Sequence, residues 1–140
     1  MIDFTKIDKN FAVETKVERD NLHYYDIEQE PFKIYGVKKE NGKFRRMPEE
    51  VAAGVSRGVY IGHTYTAGGR VRFVTDSPFV AIHALVEQMP HFAHMPLTCE
   101  AGLDMYVREN GVERHVGTFV PPYDMVGGYE SVLDFEDKRE

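Results

Sequence analysis

Apolar residues in this chain recur in short runs with period two, and almost nowhere with the period of a helix. Runs rich in Val, Ile, Phe, Tyr and Thr are separated by Gly, Pro and Asn, the punctuation of a sheet protein. "FKIYGVKKENGKFRRM" (Phe32–Met47) centres on Asn41-Gly42, the pair that a two-residue type I′ turn prefers because both positions need positive φ. That turn sets Glu40 opposite Lys43, a favourable cross-strand pair. "MPEEVAAGV" (Met47–Val55) carries Pro48 followed by two carboxylates, which predicts one or two helical turns ending at Gly54. "GVYIGHTYTAGGRVRFVTDS" (Gly58–Ser77) reads as a second hairpin around Gly68-Gly69. In "PFVAIHALVEQ" (Pro78–Gln88), Val80, Ile82, Ala84 and Val86 alternate with Phe79, Ala81 and Leu85, so a central strand covered on both faces is expected.

"MPHFAHMP" (Met89–Pro96) is bracketed by prolines and reads as a loop. The next hairpin can be worked out in register. With Asn110-Gly111 as its turn, Arg108 faces Glu113, Val107 faces Arg114, Tyr106 faces His115, Met105 faces Val116 and Asp104 faces Gly117. Leu103, Met105, Val107 and Val116 then point to a core, and Asp104, Tyr106, Arg108, Glu113 and His115 share a polar face. Asp104 is expected to bond loop backbone there, opposite a residue without a side chain. A loop "VPPYDMVGGYE" and a last strand "YESVLDF" (Tyr129–Phe135) precede a charged tail. The expected fold is all-β, a jelly-roll-like β-sandwich with at most one short helix, forming a single domain over residues 1–140.

The 140-residue length fits one domain able to bury a sizeable core. A formal net charge of −6, from 17 basic and 23 acidic residues, repels a nucleic-acid backbone. The densest basic stretch, Lys43–Arg46, is flanked by acidic residues that dilute its field, so no nucleic-acid partner is expected. Cys99 is the only cysteine, which excludes an internal disulfide and a cysteine metal cluster. The polar start "MIDFTKIDKN" is unlike a secretory leader, and no window approaches the ~20 apolar residues of a membrane span. A cytoplasmic location without membrane association is the expectation. With 8 tyrosines, 9 phenylalanines and no tryptophan, the chain departs from the usual sugar-stacking platform.

Candidate chemistry is sparse. "TDSPF" (Thr75–Phe79) holds an Asp-Ser pair, yet no segment supplies a histidine base at a matching position, and a tight turn explains Ser77 better. No catalytic residue and no cofactor are assigned. His83, His91 and His94 are weak metal candidates, because their spacing matches no strong ligand motif. His83 lies on a largely apolar face, where a buried, satisfied histidine is expected. Asp104, Tyr106 and His115 share one face and are candidate ligand-binding residues, with Tyr123 as an exposed aromatic nearby.

"AGLDMYV" resembles the Gly-x-Asp-Leu-Tyr motif of the small β-sandwich that precedes the catalytic domain in many bacterial SGNH/GDSL-type hydrolases. The motif residues are Gly102, Asp104, Met105 and Tyr106, with Met105 in place of leucine. "AGGRVRFVTDSPFVAI", "MPHFAHMPLT" and "VGTFVPPYDMVGGYES" are similar to the same family, so the likeness runs from about residue 32 to 135. The resemblance implies a non-catalytic accessory domain of an esterase acting on acylated carbohydrate. Its partner would be a downstream catalytic domain, whose Gly-Asp-Ser and Asp-x-x-His blocks are not found here. A stand-alone sugar-binding module is the alternative. The family carries further strands after the region matching "GYESVLDF", so this chain is expected to be a fragment, or to self-associate through an open sheet edge.

Overall fold

A computed structural model describes residues 16–87 and 91–135. The chain is all-β in character, with eight strands and three short helices among the described residues. The order is β1 (Lys33–Tyr35), β2 (Lys38–Glu40), β3 (Lys43–Arg45), α1 (Glu49–Val55), α2 (Arg57–Gly62), β4 (Arg70–Arg72), β5 (Phe79–Leu85), α3 (Leu97–Ala101), β6 (Leu103–Glu109), β7 (Val112–Phe119) and β8 (Gly128–Asp134). The strands form four two-stranded antiparallel sheets, β1-β4, β2-β3, β5-β8 and β6-β7. Two compact units result, Tyr25–Thr75 and the remainder.

In the Tyr25–Thr75 unit, the Asn41-Gly42 turn has φ values of 49° and 77°, and Glu40 faces Lys43 across it, both as the sequence predicts. The expected helix after Pro48 is α1, with Ala52 as its buried residue. The expected hairpin around Gly68-Gly69 does not form. Arg57–Gly62 is instead a helix, because the Ser56 side chain caps it by accepting the Val59 N–H at 3.2 Å. β4 then pairs with the distant β1, placing Ile34 opposite Val71. Gly68, at φ 92°, forms the turn before β4, which the Gly69 N–H closes on the Thr66 carbonyl at 2.8 Å, while Gly69 and Gly36 allow the close approach to β1. A Cβ on Gly69 would lie 2.8 Å from Val37 Cγ1, and a Cβ on Gly36 would lie 2.5 Å from the Gly68 carbonyl oxygen. Phe32 packs on Phe73 with ring centroids 5.3 Å apart, beside the β1-β4 pair.

In the other unit, β5 and β8 pair over seven positions, from Phe79–Asp134 to Leu85–Gly128. Here the expected central strand is corrected. Among the described residues β5 has β8 as its one neighbour, and His83 is exposed, not buried. Mixed apolar alternation on β5 reflects partial burial along most of its length, with Leu85 left 81% exposed. Phe119, Tyr129 and Val17 form the buried apolar set of this unit, joined by the fully buried Pro121. Burying a side chain of phenylalanine size contributes about 1.5–3 kcal/mol, so Phe119 and Tyr129 dominate its packing.

Candidate functional site

The Gly-x-Asp segment begins where α3 ends. Gly102 donates its N–H to the Thr98 carbonyl at 3.1 Å and lies against that residue. A Cβ at Gly102 would sit 2.9 Å from Thr98 Cα and closer still to its carbonyl oxygen. Glycine is needed here for close approach, not for unusual backbone dihedrals, since φ is −72°. Tyr129 on β8 fastens the same corner. Its hydroxyl donates to the Ala101 carbonyl at 2.7 Å and lies 3.4 Å from the Phe119 carbonyl. Burial pushes the phenol up to about 12, so Tyr129 stays a donor across the working pH range.

From this corner β6 runs into β7 through Asn110-Gly111, with φ values of 51° and 82°. Near the turn the register is as expected: Arg108 faces Glu113, Val107 faces Arg114 and Tyr106 faces His115. Beyond Tyr106 it is not. A register shift between Met105 and Tyr106 sets Met105 opposite Gly117, Asp104 opposite Thr118 and Leu103 opposite Phe119. Val116 is the extra residue of this β-bulge. Regular alternation from His115 would send Phe119 to the polar face; the bulge returns it to the buried one and turns Thr118 outward. Gly117 accordingly lies where a Cβ would meet Leu133 Cδ2 at 3.0 Å.

Asp104 therefore faces a hydroxyl, not an empty position, and its partner is a side chain and not loop backbone. Thr118 Oγ1 donates to Asp104 Oδ1 at 2.6 Å. His115 Nε2 lies 3.3 Å from the same hydroxyl and 3.6 Å from Asp104 Oδ1. Having given its one proton to the carboxylate, Thr118 accepts from His115, whose Nε2 therefore carries a proton. Tyr106 meets the His115 ring edge-on at 5.4 Å. Exposed Asp104, Tyr106 and His115 and half-buried Thr118 thus form one polar face with an aromatic flank. Met105, on the opposite face, is half-buried, where methionine replaces leucine at nearly constant volume.

Tyr123 belongs to a different set. Its ring stacks on His91 with centroids 4.7 Å apart and planes 12° from parallel. His91 Nδ1 contacts Glu100 Oε2 at 3.1 Å, while Glu100 Oε1 accepts the Phe92 N–H at 2.6 Å. The Glu100 side chain is only 2% exposed, and the Phe92 N–H and then His91 hold its carboxyl below the usual range despite burial. Sequence reading missed Glu100, although a lone acid in the short "LTCEA" helix after a histidine-bearing loop was an available signal. His94 tilts against Phe92 at 5.8 Å. Residues 89 and 90 of the predicted proline-rich loop lie outside the described residues.

His83 pairs across the β5-β8 ladder with Glu130, Nδ1 to Oε1 at 3.0 Å, and packs edge-on against Tyr24. Glu130 Oε2 also accepts the Val17 N–H at 2.8 Å, which is the chief cause of its lowered pKa. His83, His91 and His94 do not converge: among the described residues no three His, Cys, Asp or Glu side chains form a metal-holding group. Ser77 Oγ donates to the Phe79 carbonyl at 2.7 Å, the geometry of a local turn.

Strand pairing in both units gives the described chain its all-β character, and the bulged β6-β7 hairpin carries the Gly-x-Asp segment. A family model described as GxDLY, the N-terminus of SGNH-hydrolase-type esterases, matches residues 22–138, and the chain belongs to that family. Searches of curated proteins and of solved structures each find no match.

Proposed function

We propose that this chain is a non-catalytic accessory domain of an SGNH-type esterase acting on acylated carbohydrate, where it positions the catalytic domain or shapes its substrate cleft. The observation that carries the reading is the family match, since that family is by description the N-terminal part of such esterases. The use of the motif supports it. Gly102 lets the chain pass α3, and Asp104 is held by Thr118, so these residues shape a surface and form no nucleophile–base pair with each other. The test compares the parent esterase with and without this domain, on an acetylated oligosaccharide and on a small aryl acetate. Selective loss of kcat/KM on the oligosaccharide supports a cleft role, and equal loss on both supports positioning. Unchanged kinetics on both substrates would sink the proposal.

A stand-alone sugar-binding module is the second reading, favoured by two exposed tyrosines, Tyr106 at 56% and Tyr123 at 70%. Glycan binding by this chain alone, abolished by Asp104→Ala, is its expected outcome; absence of binding to a glycan array counts against it. The first reading also includes self-association through a sheet edge. Among the described residues β5 pairs on one side, so its other edge offers backbone N–H and C=O groups to a second copy. Light scattering of a clean monomer at high concentration would remove that element.

A further inference from the structure

The β2-β3 hairpin brings two like charges face to face. Lys38 is the cross-strand partner of Arg45, and the pair sits on the same face as Glu40 and Lys43. Like charges directly opposite each other destabilise a ladder unless something lies between them. Arg45 is half-buried, and one of its guanidinium nitrogens, Nη1, donates to the Phe44 carbonyl at 3.1 Å. Neither Lys38 nor Arg45 has a carboxylate partner among the described residues. The neighbouring charged side chains have other hydrogen-bond partners. Lys39 pairs with Glu28, Glu40 Oε2 accepts the Glu49 N–H at 2.9 Å, and Glu49 Oε1 accepts from the Tyr60 hydroxyl at 2.9 Å.

Lys38 and Arg45 both line one open cavity of about 110 Å³, together with Lys39, Glu40, Met47 and Pro48. By the same measure one water needs only about 10–15 Å³, so the cavity has room for a small anion. Arg45 offers a planar fork that matches a carboxylate or phosphate, and Lys38 adds a point charge opposite. We propose that this cavity is an oxyanion-binding site, in which a carboxylate or phosphate group of a small solute bridges Lys38 and Arg45 across the hairpin. Glu40, on the same face, limits the ligand to one oxyanionic group by repelling a second. The proposal stands independently of the esterase reading, since it concerns the Tyr25–Thr75 unit alone.

The test titrates the full chain with inorganic phosphate and, separately, with glucuronate, following amide ¹H–¹⁵N spectra at constant ionic strength set with chloride. Saturable shifts centred on Lys38–Glu40 and Arg45–Met47 are expected for at least one probe. Stronger phosphate binding identifies a phosphate-bearing ligand, and stronger glucuronate binding an acidic sugar. Arg45→Gln and Lys38→Gln should each weaken binding about tenfold, as loss of a charge-assisted hydrogen bond does. Lys33→Gln, at a β1 lysine that pairs with Glu30, should leave it unchanged. Well-dispersed spectra of both hairpin variants establish that they fold. Non-saturating shifts with both probes, or wild-type affinity in the Arg45 and Lys38 variants, would overturn the assignment.

Discussion

Two hairpins in this molecule begin alike and end differently. Both turn on Asn-Gly with positive φ at each residue, and both keep the register that this turn imposes on the first pairs beside it. The β2-β3 hairpin continues regularly and sets Lys38 against Arg45. In β6-β7 a bulge intervenes after four pairs, and every polar group beyond it finds a complement: Thr118 opposite Asp104, with His115 behind. The difference lies in what each strand must bury. β3 ends at a half-buried arginine, whereas β7 ends at Phe119, which is 3% exposed. A turn sets register locally; farther out, the demand to bury an aromatic ring overrides it and rotates the strand.

The largest break in the comparison should come from removing that demand. Phe119→Ala deletes a buried ring and leaves a cavity, for an expected loss of about 3–5 kcal/mol. Equilibrium denaturation measures this. Retention of wild-type stability would show that the bulge has another cause. If the variant still folds, its Asp104–Thr118 contact should weaken, because nothing then favours Thr118 on the outer face over the regular register. A Thr118 hydroxyl proton still protected from exchange in that variant would place the cause in the polar network itself.

Acid should separate the two units next. Glu100 and Glu130, both in the unit that contains β6 and β7, have pKa values lowered from 4.5, chiefly by the Phe92 and Val17 N–H groups respectively. Carboxyls depressed in the folded state stabilise it above the unfolded pKa, and this is lost as pH falls through the folded value. Stability of that unit should therefore decline below about pH 4.5 and be nearly flat above it, so far as these groups are concerned. Glu100→Gln and Glu130→Gln should each flatten the acid limb, read as denaturation midpoints against pH. An unchanged limb in both would remove the two carboxylates as its source.

The sequence made the local devices readable. Asn-Gly turns at 41–42 and 110–111, the extent of β7, the helix after Pro48 and the strand beginning near Tyr129 are each set by neighbouring residues. What escaped depends on distant ones. Gly68-Gly69 does close a turn, with the Gly69 N–H on the Thr66 carbonyl and Gly68 at φ 92°, yet the strand after it pairs with β1, more than thirty residues earlier, and not with the segment just before it. His83 looked buried because its neighbours are apolar, but a carboxylate on β8 holds it at the surface. The bulge at Val116 was hidden because period-two alternation fits the strand with or without it, and the burial of Phe119 decides between them. Asp104, Tyr106 and His115 do share a face, as the alternation predicts; Thr118 joined them only through the bulge, and Tyr123 belongs with His91 and Glu100 instead.

The finest test sets the two hairpins against each other with single side chains. Lys38→Glu places an acid opposite Arg45 and converts a repulsive cross-strand pair into an attractive one, worth roughly 0.2–1 kcal/mol. Thr118→Val keeps shape in the other hairpin but removes the hydroxyl that bonds Asp104, with an expected loss of about 0.5–1.5 kcal/mol. Opposite signs are expected, read as amide exchange within each hairpin at low ionic strength. Added salt should shrink the Lys38→Glu gain, since exposed charges are screened, and should change the Thr118→Val loss much less. If Lys38→Glu instead loosened its hairpin, the Lys38–Arg45 juxtaposition would not be a source of repulsion in solution. The contrast between a hairpin that leaves its charges facing and one that resolves them would then rest on the bulge alone.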